Sequence, residues 1–178
     1  RLRARSGATI LHLPGALLPQ VGSEHTNALH IDLDSASRVL AASVVVPGRT
    51  AMGERGQFRR LRMRMVAHIN GHLAFAEDAT FEPQRSPIDS AAIFDGGGAS
   101  VSLIALGDWP LADPAWWQAF LPAYVQGAAS PLRLGGVCVR LLTSTLGDAL
   151  AVIDMLEVAA RTAGGDSPAE PVPAVVPP

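Results

Sequence analysis

Apolar and polar positions alternate along much of the first half of the chain. In residues 26–33, Leu29, Ile31 and Leu33 share one parity while His30 and Asp32 take the other. That is the period of a half-buried strand. Residues 7–13 read as an earlier strand, stopped by Pro14-Gly15, and residues 38–46 as a later one, ending in Val44-Val45-Val46 before Pro47-Gly48. Asp34 and Ser35 supply turn chemistry between the second and third. Residues 57–69 set Phe58, Leu61, Met63 and Met65 against Arg60, Arg62 and Arg64. Asn70-Gly71 then predicts a tight hairpin, with residues 72–81 as the returning strand. Strands of about ten residues predict an extended sheet surface, not a tiny barrel.

The second half is more broken. Residues 83–98 hold two prolines and Gly96-Gly97-Gly98, and so read as a loop before a strand at 101–106. Pro114 suits a first helical turn, so residues 114–126 predict a short helix limited by Pro122. Residues 132–142 read as one strand interrupted by Gly135-Gly136. Residues 146–162 predict a long helix, with Leu146, Leu150, Ile153 and Val158 near one stripe and Thr145 or Ser144 as its cap. Beyond Gly164-Gly165, five prolines in residues 167–178 predict an extended, disordered tail. The expected organisation is one domain over residues 1–163 and a Pro-rich tail over 164–178. The order, strands in antiparallel succession and then a late helix, is not a βαβ alternation.

Composition narrows the classes. Of 178 residues, 48% are hydrophobic and 17% charged, which excludes a disordered chain. A net charge of −2 disfavours a general nucleic-acid binder. The single cysteine, Cys138, excludes an intrachain disulfide framework and a zinc finger of the usual kind. All 14 basic residues are arginine, so no lysine is present for Schiff-base or P-loop chemistry. No apolar run approaches the ~20 residues of a membrane span. Arg1 to Arg5 is basic, but no sustained apolar segment follows, so it does not read as a signal peptide. The chain starts without methionine on a strand-like stretch, and a missing upstream portion is expected.

Candidate chemistry is sparse. His68 and His72 flank the predicted hairpin turn, where two imidazoles on one rim could share a nickel or zinc ion. Spacing fixes no third ligand, and ordinary half-exposed strand residues are the plainer reading. Cys138, between Val137 and Val139, reads as a buried, inert thiol. The run Arg55, Arg59, Arg60, Arg62 and Arg64 supports two readings: a solvated face paired with Glu77 and Asp78, or a docking surface. No Ser-His-Asp or paired-carboxylate arrangement stands out by spacing. Pro47-Gly48-Arg49-Thr-Ala-Met-Gly53-Glu54 is the most informative segment. Its glycines permit a tight connection, and Arg49 and Glu54 could pair across it.

Gly48-Arg49-x-x-x-Gly53-Glu54, followed by an aromatic and an arginine-rich strand, resembles the urease accessory protein UreD family, called UreH in some species. Leu13-Pro14 to Pro19, His30 to Ala36, Asn70-Gly71, and Gly136 to Leu142 with the helix ending at Ala160-Arg161 extend the resemblance over about residues 7–162. The family's tryptophan before the proline is His12 or Leu13 here, and its upstream portion has no counterpart. The resemblance implies a C-terminal part or a reduced form of the family. It implies a mainly β fold of stacked antiparallel and mixed sheets, β-helix-like, with a C-terminal helix.

It further implies a cytoplasmic, non-enzymatic scaffold that acts with UreF and the GTPase UreG on apo-urease. That scaffold helps deliver nickel, by a route through itself, with no tightly bound cofactor. Partners would be UreF-like and UreG-like proteins and apo-urease, not nucleic acid or membrane. Gly48, Arg49, Gly53 and Glu54 would form an interaction or structural loop. Arg60, Arg62 and Arg64 would form a docking face, and His68 and His72 are weak candidates for transient nickel contact. Exposed aromatics at 109–124 would suit such docking. Two other classes compete: an unrelated β-sandwich interaction or ligand-binding module, with an apolar pocket near Trp109, Trp116 and Trp117, and a hydrolase.

Overall fold

The computed structural model describes residues 1–90 and 93–164. Its elements run β1 (Leu2–Ala4), β2 (Thr9–His12), β3 (Glu24–Leu33), β4 (Arg38–Val45), β5 (Arg60–Ile69), β6 (His72–Phe81), β7 (Ala99–Leu106), α1 (Pro114–Phe120), β8 (Gln126–Pro131), β9 (Val137–Thr143) and α2 (Leu146–Gly164). Two mixed sheets form, in the orders β1-β3-β5-β6 and β2-β4-β7-β9-β8. The fold is therefore mainly β, stacked and mixed, with a C-terminal helix, as the family resemblance implies. The predicted Pro-rich tail lies outside the described residues, apart from Gly164 at the end of α2.

The first five strands pass alternately between the sheets. β1, β3 and β5 pair in parallel in one sheet, and β2 and β4 pair in parallel in the other. This is a flattened coil, not the antiparallel succession that the strand pattern alone suggests. Alternation at period 2 is the same in both ladder types, and the connections decide which forms. One connection is held by Asp34, whose carboxylate accepts from Ser6 N at 2.7 Å and Ser37 Oγ at 2.7 Å. After β5 the coil ends. Asn70 and Gly71 take φ of 49° and 80°, and β6 folds back antiparallel.

The central strands of the second sheet, β4 and β7, are buried on both faces. Leu40, Ala42 and Val44 of β4 pack with Trp117, Val152 and Leu156 of the helices, while Val39 and Ala41 face the first sheet. Burial on both faces explains why β4 reads as an almost unbroken apolar run. α2 starts in a capping box: Asp148 N donates to Thr145 Oγ1 at 3.0 Å, and Thr145 N donates to the Asp148 carboxylate at 3.0 Å. Its buried stripe is Ala149, Val152, Ile153, Leu156 and Ala160. Leu150 and Val158, assigned to the stripe from sequence, are exposed. α2 is apolar on several sides, so periodicity left the choice of face open, and alanines let it lie close to the sheet.

Two strands escaped the sequence reading. β1 is only three residues long, and β8 holds Gly127, two alanines and Pro131, with little strand propensity. The expected single strand over 132–142 is in fact a turn followed by β9. Leu132 N donates to Gly136 O at 2.9 Å, and Gly135 and Gly136 sit at φ 89° and 88°. The 109–124 segment also differs from expectation. Trp109 and Trp117 are buried, and only Tyr124 is strongly exposed among its aromatics.

Candidate functional site

Three features place charged side chains where they can act: a loop at one end, the outward face of the first sheet, and the space between the sheets. The loop joins β4 to β5. Its centre is a 3-10 turn over Thr50–Met52, closed by Gly53 in the left-handed conformation, whose N–H donates to Thr50 O at 3.0 Å. Arg49 grips Glu54 with both prongs, Nε to Oε2 at 2.6 Å and Nη2 to Oε1 at 2.6 Å. Glu54 holds the Arg49 guanidinium above its ordinary pKa, chiefly through these hydrogen bonds. Gly56 N donates to Pro47 O at 2.6 Å, which draws the two ends of the loop together. Arg55 leaves the loop to grip Asp89 and donates from Nη1 to Gly97 O at 3.0 Å. It therefore ties this loop to residues 82–98 and is not part of the strand face. Met52, at the tip, is 69% exposed.

The outward face carries Arg60, Arg62 and Arg64 on alternate positions of β5. Arg62 meets Asp78 bidentately, at 2.7 and 2.5 Å. Arg64 Nε stands 3.1 Å from the same carboxylate, and Arg60 stands 3.8 Å from Glu82. Asp78 is thus a partner of this row, as expected, and Glu77 is not. Both helices lie against the other sheet, so this face is open. His68 faces Asp32 at 3.8 Å and pairs with Leu73 across the hairpin, whereas His72 pairs with Ile69. Adjacent strand positions point to opposite faces, so the structure does not bring His68 and His72 together. Among the described residues, no three His, Cys, Asp or Glu side chains converge as a metal site.

Hydrogen bonds to Ser37, Arg62 and Arg55 hold Asp34, Asp78 and Asp89, respectively, below the ordinary carboxylate range. A depressed carboxylate adds stability above its unfolded pKa of about 3.9, and that stability is lost as pH falls through the folded value. The expected melting temperature is level from neutral pH to about pH 5 and falls below about pH 4. Replacing Asp34, Asp78 and Asp89 together by asparagine should flatten that acid slope; an unchanged slope in thermal scans would refute the assignment.

Between the sheets, Glu77 points inward from β6. Arg140 Nη2 reaches Glu77 Oε1 at 2.7 Å, and Ser102 Oγ donates to Glu77 Oε2 at 2.8 Å. Arg140 also donates from Nη1 to Ser102 Oγ. Ser43, Ser102 and Arg140 stand side by side across β4, β7 and β9. Two cavities flank the cluster. One, of about 340 Å³, is lined by Ser43, Ser100, Ser102, Arg140, Phe81 and Ile93 among others. The other, of about 150 Å³, is lined by His12, Asn27, Leu29 and Met65 among others. Glu77, Ser43 and Met63 line both. Burial lowers the pKa of His12, which favours the neutral imidazole. Burial pushes the Cys138 thiol up, so it stays protonated, as expected of an inert cysteine. None of the three tryptophans lines either cavity.

The sequence analysis missed this cluster. Part of its signal was present: Glu77 shares its parity with Phe75 and Phe81, which marks an inward-facing carboxylate. Arg140 carries no such mark, because both parities of β9 are apolar and its side chain is 47% exposed.

Comparison with known proteins agrees with the resemblance. The family described as UreD urease accessory protein matches residues 1–174. Urease accessory protein UreD 2 of Synechococcus sp. (strain JA-3-3Ab) is 28% identical over 68% of this chain and 47% of its own length. Urease accessory protein UreD of Opitutus terrae is 27% identical over 77% of this chain and 52% of its own. Urease accessory protein UreH of Helicobacter hepaticus is 25% identical over 61% and 43%. The chain thus spans about half the length of the curated relatives it matches. With a match that runs from the first strand to beyond the last helix, the chain belongs to the UreD urease accessory protein family.

Proposed function

We propose that this chain is a scaffold in nickel insertion into apo-urease, acting in the cytoplasm with UreF-like and UreG-like proteins. The observation that carries the reading is family membership over residues 1–174. An accessory role, and not catalysis, is what that family name describes. No helix among the described residues is long and apolar enough to cross a membrane. The open arginine row and the loop bearing exposed Met52 are the candidate docking features. Nickel is treated as cargo: sparse donors favour passage over retention, because a full ligand set would trap the ion. The paired interlayer cavities are the candidate route.

Membership in the family leaves an unrelated β-sandwich module without support. The test is co-expression with urease subunits and the UreF-like and UreG-like proteins of the same host. A complex should be recovered on a tag attached to this chain, and urease should gain nickel and activity. Arg62→Glu with Arg64→Glu should reduce recovery of the complex while leaving the circular dichroism spectrum unchanged, since these side chains face solvent. Equal recovery with the double variant would remove the arginine row from the docking surface. No complex and no activation, even with the chain extended upstream, would sink the scaffold reading.

A further inference from the structure

Arg49, Arg55, Arg59, Arg140 and Arg161 each meet a carboxylate of their own. The start of the first sheet is different. Arg1, Arg3 and Arg5 share the parity opposite to Leu2 and buried Ala4. All three line one cavity of about 270 Å³, together with Asp32 of β3 and Asn70 of the hairpin turn. Asp32 is the one carboxylate among the described residues that line it, and it is already engaged. It accepts from Arg1 Nε at 2.7 Å, while Arg3 Nε and His68 Nδ1 stand 3.9 and 3.8 Å away. The hydrogen bond from Arg1, above all, holds its carboxyl below the ordinary range, so it is ionised at neutral pH. Asp34 does not line the cavity, and its oxygens are taken by Ser6 N, Ala36 N and Ser37 Oγ. Arg5 makes no ion pair among the described residues. Three guanidinium groups against one carboxylate leave two positive charges uncompensated.

We propose that this cavity binds a small, doubly charged oxyanion of the phosphate or sulfate class, gripped by the guanidinium groups of Arg3 and Arg5. Arg1 keeps Asp32 occupied, which leaves the N–H forks of the other two arginines for the ligand. A planar fork matches two oxygens of a tetrahedral anion, and a pair of forks matches its charge. The Asn70 side-chain amide, at the rim, supplies a further donor. Chloride offers neither the charge nor the paired oxygens, and the surplus of arginine repels cations. Arg1 and Arg3 are 60% and 59% exposed at the side chain, so binding is weak and falls as salt rises. The proposal stands apart from the scaffold reading, because the ligand binds this chain without urease or its other accessory proteins.

The experiment titrates inorganic phosphate into the full chain at low ionic strength and follows assigned amide signals by NMR, with sulfate and chloride in parallel. Phosphate and sulfate should give saturable shifts centred on Arg3, Arg5 and Gly71, and chloride should not. Added sodium chloride should weaken both. Arg5→Gln should weaken phosphate binding about threefold or more, the size of one exposed charge interaction. Arg3→Gln together with Arg5→Gln should abolish saturation. Asp32→Asn removes the internal competitor and should tighten binding about threefold. A purely structural cluster predicts the reverse pattern: Asp32→Asn lowers the melting temperature and leaves anion affinity unchanged. That result overturns the site. So does an adventitious ion only, seen as shifts of equal size along Arg60, Arg62 and Arg64, as no saturation, or as unchanged affinity in the double variant. These side chains are exposed, so the variants should keep the wild-type circular dichroism spectrum; if the double variant does not fold, Arg5→Gln and Asp32→Asn decide the question by their opposite signs.

Discussion

Gly48→Ala is expected to lower stability by about 3–5 kcal/mol, a large part of the 5–15 kcal/mol typical of a domain. The reason is local. Gly48 sits at φ 114°, where side-chain-bearing residues are strained. A Cβ there would lie 2.4 Å from Glu54 O and 3.3 Å from its carbonyl carbon. Both are backbone atoms, so no side chain can rotate away. The loop would have to open, losing the Gly56 N to Pro47 O bond and the Arg49 grip on Glu54. Gly53 provides the control. It also has positive φ, 72°, but a Cβ there meets nothing within 4 Å. Gly53→Ala should cost only about 1 kcal/mol. The two glycines look alike in the sequence motif, yet only one is fixed by a close approach. Urea denaturation of both variants decides it: midpoints that agree would refute the close-contact argument.

Trp117→Ala is expected to cost a further-reaching ~3–5 kcal/mol through cavity formation. Trp117 is fully buried against the second sheet and the helices. Its Nε1 donates to Leu111 O at 2.8 Å, and its ring meets Trp116 and Phe120 edge-on at 5.1 and 5.8 Å. α1 has seven residues, too few to persist without this anchor. Truncation should therefore release α1 before the sheets unfold, visible as fast hydrogen exchange over residues 114–121. Trp117→Phe keeps most of the apolar bulk and should lose only about 1 kcal/mol, the hydrogen bond to Leu111. Slow exchange over α1 in Trp117→Ala would show that the helix is held by other contacts.

The legible part of the site was its local chemistry. Arg49 and Glu54 pair across the loop as their spacing between two glycines predicts. Asp78 joins the arginine row of β5 because the hairpin register shifts by one residue between Ala67 and His68; an unshifted hairpin would set Glu77 opposite Arg64. Glu77 was assigned to that same row, although its parity placed it with Phe75 and Phe81. Its partner, Arg140, lies 63 positions away on the other sheet, a pairing that no local pattern encodes. Arg55 likewise reads as a member of the arginine run, but it belongs to a loop-to-loop tie with Asp89.

By itself, the sequence determined the β character, the hairpin at Asn70-Gly71, the C-terminal helix and the family. Each of these is written in short-range information: residue parity, positive-φ turn residues, helical periodicity and a motif of fixed spacing. Tertiary structure alone decided that the first strands coil in parallel, which face of α2 is buried, and that Glu77 and Arg140 meet between the sheets. Those outcomes depend on which surfaces stack, and stacking joins residues far apart in the chain through burial and desolvation, for which the order of neighbours carries no direct signal.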